Sequence, residues 1–180
     1  MKKIIAFAGS NSKKSINAQL INYVATQITS ASVSVIKLTD YEIPMYSIDE
    51  EIDKGFPVGV TMLKNKIVEH DGLILSVNEH NGSVSAFFKN IIDWLSRVDR
   101  NYLSGKKILL MSTSPGARGG KNALEFAKGA LPYMGGAVVE SFSFPSFQEN
   151  FDVETNAITN PTLALGVGEV IASFLQEVGG

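Results

Sequence analysis

Lys3-Ile4-Ile5-Ala6-Phe7-Ala8-Gly9-Ser10-Asn11-Ser12-Lys13-Lys14-Ser15-Ile16-Asn17 begins apolar, turns polar at Gly9, and leads into a helical repeat at Leu20. The unbroken apolar run Ile4–Ala8 suits a strand covered on both faces, the usual condition in a parallel sheet. Leu20, Ile21, Val24, Ala25 and Ile28 then recur at helical spacing,. Strand, polar turn and helix in that order form the first half of a βαβ unit.

The same alternation continues down the chain. Further strands are expected at Val33–Leu38, Gly72–Val77, Lys106–Ser112 and Ala137–Ser143. Leu73-Ile74-Leu75 and Ile108-Leu109-Leu110-Met111 are continuously apolar, which places them centrally with the first strand,. Helices are expected from Pro57 to His70 and from Ser85 to Ser96. Two more are marked by Ala123, Leu124, Ala127, Ala130, Leu131 and Met134, and by Val167, Val170, Ile171, Phe174, Leu175 and Val178,. Five strands and five helices in strict alternation, joined by right-handed crossovers, predict an α/β doubly wound three-layer sandwich. Its parallel sheet takes the flavodoxin-like order 2-1-3-4-5. Two connections are long, Thr39–Phe56 and Phe144–Thr159. Their apolar content suggests packing against a partner subunit or the site.

Composition narrows the class. A chain of 180 residues with 44% hydrophobic and 19% charged residues is expected to form one domain, 1–180, with a substantial core,. A net charge of -2 and no Lys/Arg cluster beyond Lys13-Lys14 and Lys106-Lys107 argue against nucleic acid,. The chain has no cysteine, hence no disulfide, thiol nucleophile or thiolate metal site,. His70 and His80 fall in no metal-ligand pattern, and no G-x-S-x-G elbow appears,. Lys2-Lys3 before Ile4–Ala8 resemble a signal start, but the apolar run is too short. No apolar run suggests a membrane span, so a cytoplasmic protein is expected,.

Ligands of an open α/β sheet bind beyond the carboxyl ends of its strands, where the strand order reverses. Three loops belong there. After strand one, Gly9, Ser10, Asn11, Ser12, Ser15, Ile16 and Asn17 bring neutral donors and a helix N-terminus together, a setting that favours phosphate,. Neither a Walker A loop nor a dinucleotide G-x-G-x-x-G is present, and Ser15 also suits a plain helix cap,. After strand three, Asn78, Glu79, His80, Asn81, Gly82 and Ser83 can meet the edge of a hydrogen-bonding heterocycle such as a flavin. Phe87, Phe88 and Trp94 of the next helix read better as core, and His80 as a polar surface group,. After strand four, Ser114-Pro115-Gly116-Ala117-Arg118-Gly119-Gly120 lets a ring approach the backbone closely,.

Over about residues 3 to 140 this ordered set resembles the NAD(P)H-dependent FMN reductase family, which includes azoreductases, quinone reductases and chromate reductases. The resemblance rests on Gly9-Ser10 with Ser15 and Asn17, on Glu79 and Asn81-Gly82-Ser83, on Lys89-Asn90-Ile91-Ile92-Asp93-Trp94, and on Ser114-Pro115-Gly116. It implies FMN as cofactor and NAD(P)H as donor, with hydride passing through the flavin to a small acceptor such as a quinone, azo compound or free flavin. It implies that the first loop holds the FMN phosphate while Asn78–Asn81 and the Ser114 turn, with Pro115, Gly116 and Gly119, flank the ring. It also implies a homodimer or homotetramer. Three places depart from the family pattern. Ser12 stands where Arg is common, leaving Lys13 or Lys14 as a substitute; Asn78-Glu79-His80-Asn81 replaces Pro-Glu-Tyr-Asn; Ser85 replaces a Pro. An electron carrier that does not oxidise NAD(P)H, and a module that has lost its flavin, are the alternatives; the near-neutral charge favours the enzyme,. No acidic-versus-Arg ribose discriminator is legible, so the sequence does not distinguish NADH from NADPH.

Overall fold

A computed structural model describes Met1–Gly180. Strands β1 (Lys3–Ala8), β2 (Ser32–Val35), β3 (Gly72–Val77), β4 (Lys107–Thr113) and β5 (Ala137–Phe144) form a parallel sheet in the order β2-β1-β3-β4-β5. This is the flavodoxin-like order expected from the alternation of elements. Register is continuous through the centre, with Ile5 opposite Leu73 and Leu73 opposite Ile108.

Helices α1 (Ile16–Thr26), α2 (Ile48–Lys54), α3 (Val58–Val68), α4 (Ala86–Val98), α5 (Lys121–Ala130), α6 (Phe147–Asn150) and α7 (Pro161–Gly179) complete the fold. Two apolar clusters fill the spaces on either side of the sheet. Leu63, Ile67, Phe88, Trp94 and Leu124 belong to one, and Leu20, Val24, Ile171 and Phe174 to the other. Phe88 and Trp94 are buried, as helical spacing suggests, whereas Phe87 is only partly buried and packs against the cluster.

The differences from expectation lie at edges and in loops. Strand β2 stops at Val35, and Leu38 instead opens a single 3-10 turn, Leu38–Asp40, that buries it. As an edge strand paired only with β1, β2 has no second neighbour to extend its ladder,. The helix after β4 changes to a 3-10 turn at Leu131–Met134, where Pro132 removes a backbone donor,. Seven helices occur rather than five because the two long connections each contain a short one.

Both long connections dock on their own chain. Trp94 Nε1 and Asn90 Nδ2 each donate to the Pro44 carbonyl at 2.9 Å, while Asn90 Oδ1 accepts from Tyr46 N at 2.7 Å. Glu51 on α2 accepts from Arg97 on α4 through both carboxylate oxygens, at 2.8 and 3.0 Å. In the second connection Phe147 stacks on Phe151 with ring centroids 4.6 Å apart, closing the cluster beneath α1 and α7. Helix α7 is long and apolar enough to cross a membrane by length and composition. Its stripe Val167, Ile171, Phe174 and Val178 is instead buried in the cluster on the sheet.

Candidate functional site

At the carboxyl end of β1 the chain folds back on itself. Gly9 N donates to Ser76 O at 2.9 Å, binding the start of the loop to β3. Ser10 Oγ accepts from Ser12 N and Ser12 Oγ from Lys14 N, both at 3.2 Å. Each hydroxyl keeps its own proton to donate. Ser15 caps α1 by accepting from Ala18 N at 3.1 Å, so the cap predicted for Ser15 forms. The N–H groups of Ile16 and Asn17 in the first turn have no partner within the helix and are free for an anion,.

Asn17 holds this helix end in place. It is buried; its Oδ1 accepts from Ser76 Oγ at 2.7 Å and from Thr113 N at 3.1 Å, and its Nδ2 donates to Thr113 O at 3.2 Å. One amide thereby joins α1, β3 and β4. Its side chain is committed to the sheet, leaving the backbone N–H for a ligand.

The second loop is a tight hairpin. Glu79–His80 pairs antiparallel with Ser83–Val84, and Asn81 and Gly82 turn it with φ of 51 and 77. Two successive positive φ values define the primed turn for which Asn-Gly is the strongest sequence signal; only a polar loop is expected here from the sequence, and this dipeptide could have marked the hairpin,. Glu79 Oε2 accepts from Asn122 N at 2.8 Å and from Ala123 N at 3.2 Å. Helix α5 is preceded by Gly120, which has no side chain to cap it, and Glu79 supplies the missing acceptor from the neighbouring loop,. Ser85 caps α4 through Phe88 N at 3.2 Å and donates to Gly9 O at 3.0 Å, linking the first and second loops. That contact is what Ser85 contributes in place of a proline.

The third loop is fastened to α6 and to the end of β4. Ser146 N donates to Gly116 O at 3.0 Å, Phe147 N to Ser114 O at 3.1 Å, and Ser112 Oγ to Gly119 O at 2.7 Å. Gly119 has φ of 57, and a Cβ there would lie 2.6 Å from Phe144 O, so only glycine fits,.

The loops border an open cavity of about 190 Å³, lined by Ser10, Ser12, Lys14, Ser15, Ile16, Asn17, Asn78, Glu79, His80, Thr113, Ser114 and Pro115. Most of the predicted site residues therefore meet around one space. Gly9, Asn11, Asn81, Gly82, Ser83, Gly116 and Gly119 lie outside its lining and shape the loops behind it or beside it. Lys14 and Thr113 were not in the predicted set; Lys14 was named only as one of two substitutes for a missing Arg. Asn78 Oδ1 is buried without a hydrogen-bond partner, while Asn78 Nδ2 lies 3.4 Å from His80 Nε2. These features suit FMN. The free N–H groups, serine hydroxyls and Lys14 match a phosphate, and the unpaired Asn78 acceptor matches a donor on the pyrimidine edge of the flavin.

The description NADPH-dependent FMN reductase matches residues 2–149 of the chain. The quinone reductase of Escherichia coli (strain K12) is 30% identical over 182 residues, covering 98% of this chain and 96% of that protein. An NADPH:quinone oxidoreductase of Arabidopsis thaliana is 29% identical over 166 residues, covering 89% and 84%. FerB of Paracoccus denitrificans, a flavoenzyme NAD(P)H:(acceptor) oxidoreductase, shares the fold with a TM-score of 0.80 at 24% identity, covering 99% and 98%. The fold and rim define a flavodoxin-like oxidoreductase. The chain belongs to the NADPH-dependent FMN reductase family, with FMN as cofactor and NAD(P)H as electron donor.

Proposed function

We propose that this protein reduces quinone-type acceptors, with FMN in the cavity between the first, second and third loops. The observation that carries the reading is that one cavity unites a phosphate-suited helix end with a buried, unpaired amide acceptor at Asn78. When bound, the flavin supplies hydride and electron transfer. The chain's own residues bind and orient it. Ser10, Ser12, Lys14 and the first-turn N–H groups hold the phosphate, Asn78 and Ser114 face the ring, and Glu79 and Asn17 keep the loops at a set separation.

The reading includes a single domain over 1–180, a cytoplasmic setting where the nicotinamide donors are available, and a homodimer or homotetramer. Support for assembly comes from exposed apolar side chains on and just before α2 and on α3, where Met45, Ile48, Ile52, Val58 and Met62 are at least half exposed,.

Stopped-flow mixing of the FMN-loaded protein with NADPH, then with benzoquinone, tests the function. Bleaching of the flavin absorbance followed by its return on adding quinone is expected. Bleaching by neither NADPH nor NADH would reject the reductase, and a bleached flavin that quinone leaves unchanged would reject the acceptor class.

A further inference from the structure

On the other side of the first loop lies a second cleft, of about 510 Å³, between that loop and the turn after β2. Ile36 and Leu38 contribute to an apolar floor, and Lys13, Lys37 and Asp40 stand in its lining. Ser10 and Ser12 line both this cleft and the flavin cavity, so the two meet across those serines. The consecutive lysines part company there: Lys14 faces the flavin cavity and Lys13 the cleft. Neither Lys13 nor Lys37 belongs to any ion pair of the protein.

An apolar floor beneath an excess of positive charge suits a heteroaromatic base that carries phosphate. The end of the second strand is also where doubly wound dinucleotide-binding sheets distinguish a free ribose 2′-hydroxyl from a 2′-phosphate. A carboxylate there favours the hydroxyl and a cation favours the phosphate. Here two lysines oppose one aspartate. We propose that this cleft receives the adenosine half of the nicotinamide donor and that Lys13 and Lys37 face its 2′-phosphate, making NADPH the preferred donor. The inference rests on placing the flavin in the adjoining cavity, because the nicotinamide end must reach across Ser10 and Ser12. Lys13 and Lys37 come from separate loops, so no local spacing reveals the pair.

Calorimetric titration of the FMN-loaded protein with 2′,5′-ADP and with 5′-AMP tests the cleft directly. The 2′-phosphate is expected to tighten binding about tenfold, as contacts to two exposed cations would,. The double variant Lys13→Ala/Lys37→Ala should lose that difference and raise KM for NADPH but not for NADH, while the visible spectrum of the bound flavin stays the same. Asp40→Asn should bind 2′,5′-ADP more tightly. Equal affinities for the two nucleotides, or a double variant that binds 2′,5′-ADP like the parent, would overturn the proposal. Should the protein refuse FMN, the flavin placement fails by that observation, and the same titration of the flavin-free protein still reports on the cleft.

Discussion

At the scale of single residues, the site depends on side chains that hold other groups in place. Asn17→Ala would leave the buried Ser76 hydroxyl and the Thr113 backbone groups without their partner. A loss of about 2–4 kcal/mol is expected, measured by chemical denaturation. Glu79→Ala removes the cap of α5 and should cost about 1 kcal/mol, with faster hydrogen exchange at the Asn122 and Ala123 amides and weaker FMN binding,. Glu79→Gln keeps a carbonyl acceptor and should restore most of that protection. At the phosphate end, Ser12→Ala with Ser15→Ala should weaken FMN binding about tenfold, and Ser12→Arg should tighten it, both read from flavin fluorescence. Unchanged affinity in both would show that the first loop does not hold the phosphate. Ser15 and Ser12 were legible because N-caps and polar turns are local patterns. Glu79's partner was not, because its acceptor role depends on two loops meeting.

At the scale of elements, the connection from Thr39 to Phe56 is held by polar contacts to one face of α4. No residue of α2 is buried, so its position depends on Glu51 gripping Arg97 and on the Pro44 and Tyr46 contacts to Trp94 and Asn90. The Arg97 hydrogen bond holds the Glu51 carboxyl below its ordinary value, against the opposing effect of desolvation. A carboxyl with a depressed folded pKa stabilises fully above its unfolded value, and that contribution disappears as pH falls through the folded value. Hydrogen-exchange protection factors in α2, taken relative to the intrinsic rate at each pH, should therefore fall on acidification below the usual glutamate range, while those of Leu73–Leu75 in the central strand stay high. Arg97→Gln should make α2 exchange quickly even at neutral pH. The long connections look alike as sequence, being apolar and aromatic. Which surface each covers depends on α4 and α7, which lie far along the chain.

At the scale of the whole molecule, the exposed apolar side chains of α2 and α3 carry the expectation of assembly. Ile52→Glu together with Met62→Glu should shift the particle mass toward the monomer in light scattering, with the flavin spectrum retained. A parent protein that is already monomeric at micromolar concentration would remove that expectation. By itself the sequence determined the layered α/β fold, the parallel strand order and the position of three polar loops beyond the carboxyl ends of the strands. Hydrophobic period, N-caps and glycine turns act between neighbouring residues, so they are written locally. The tertiary structure alone decided that Asn17 is committed to the sheet, that Glu79 caps a distant helix, and that adjacent lysines face different cavities. Each of these depends on where a side chain's partner lies in space, and the sheet brings together residues that the chain keeps far apart. The first loop, legible at once as a place for phosphate, becomes in three dimensions the wall between two cavities.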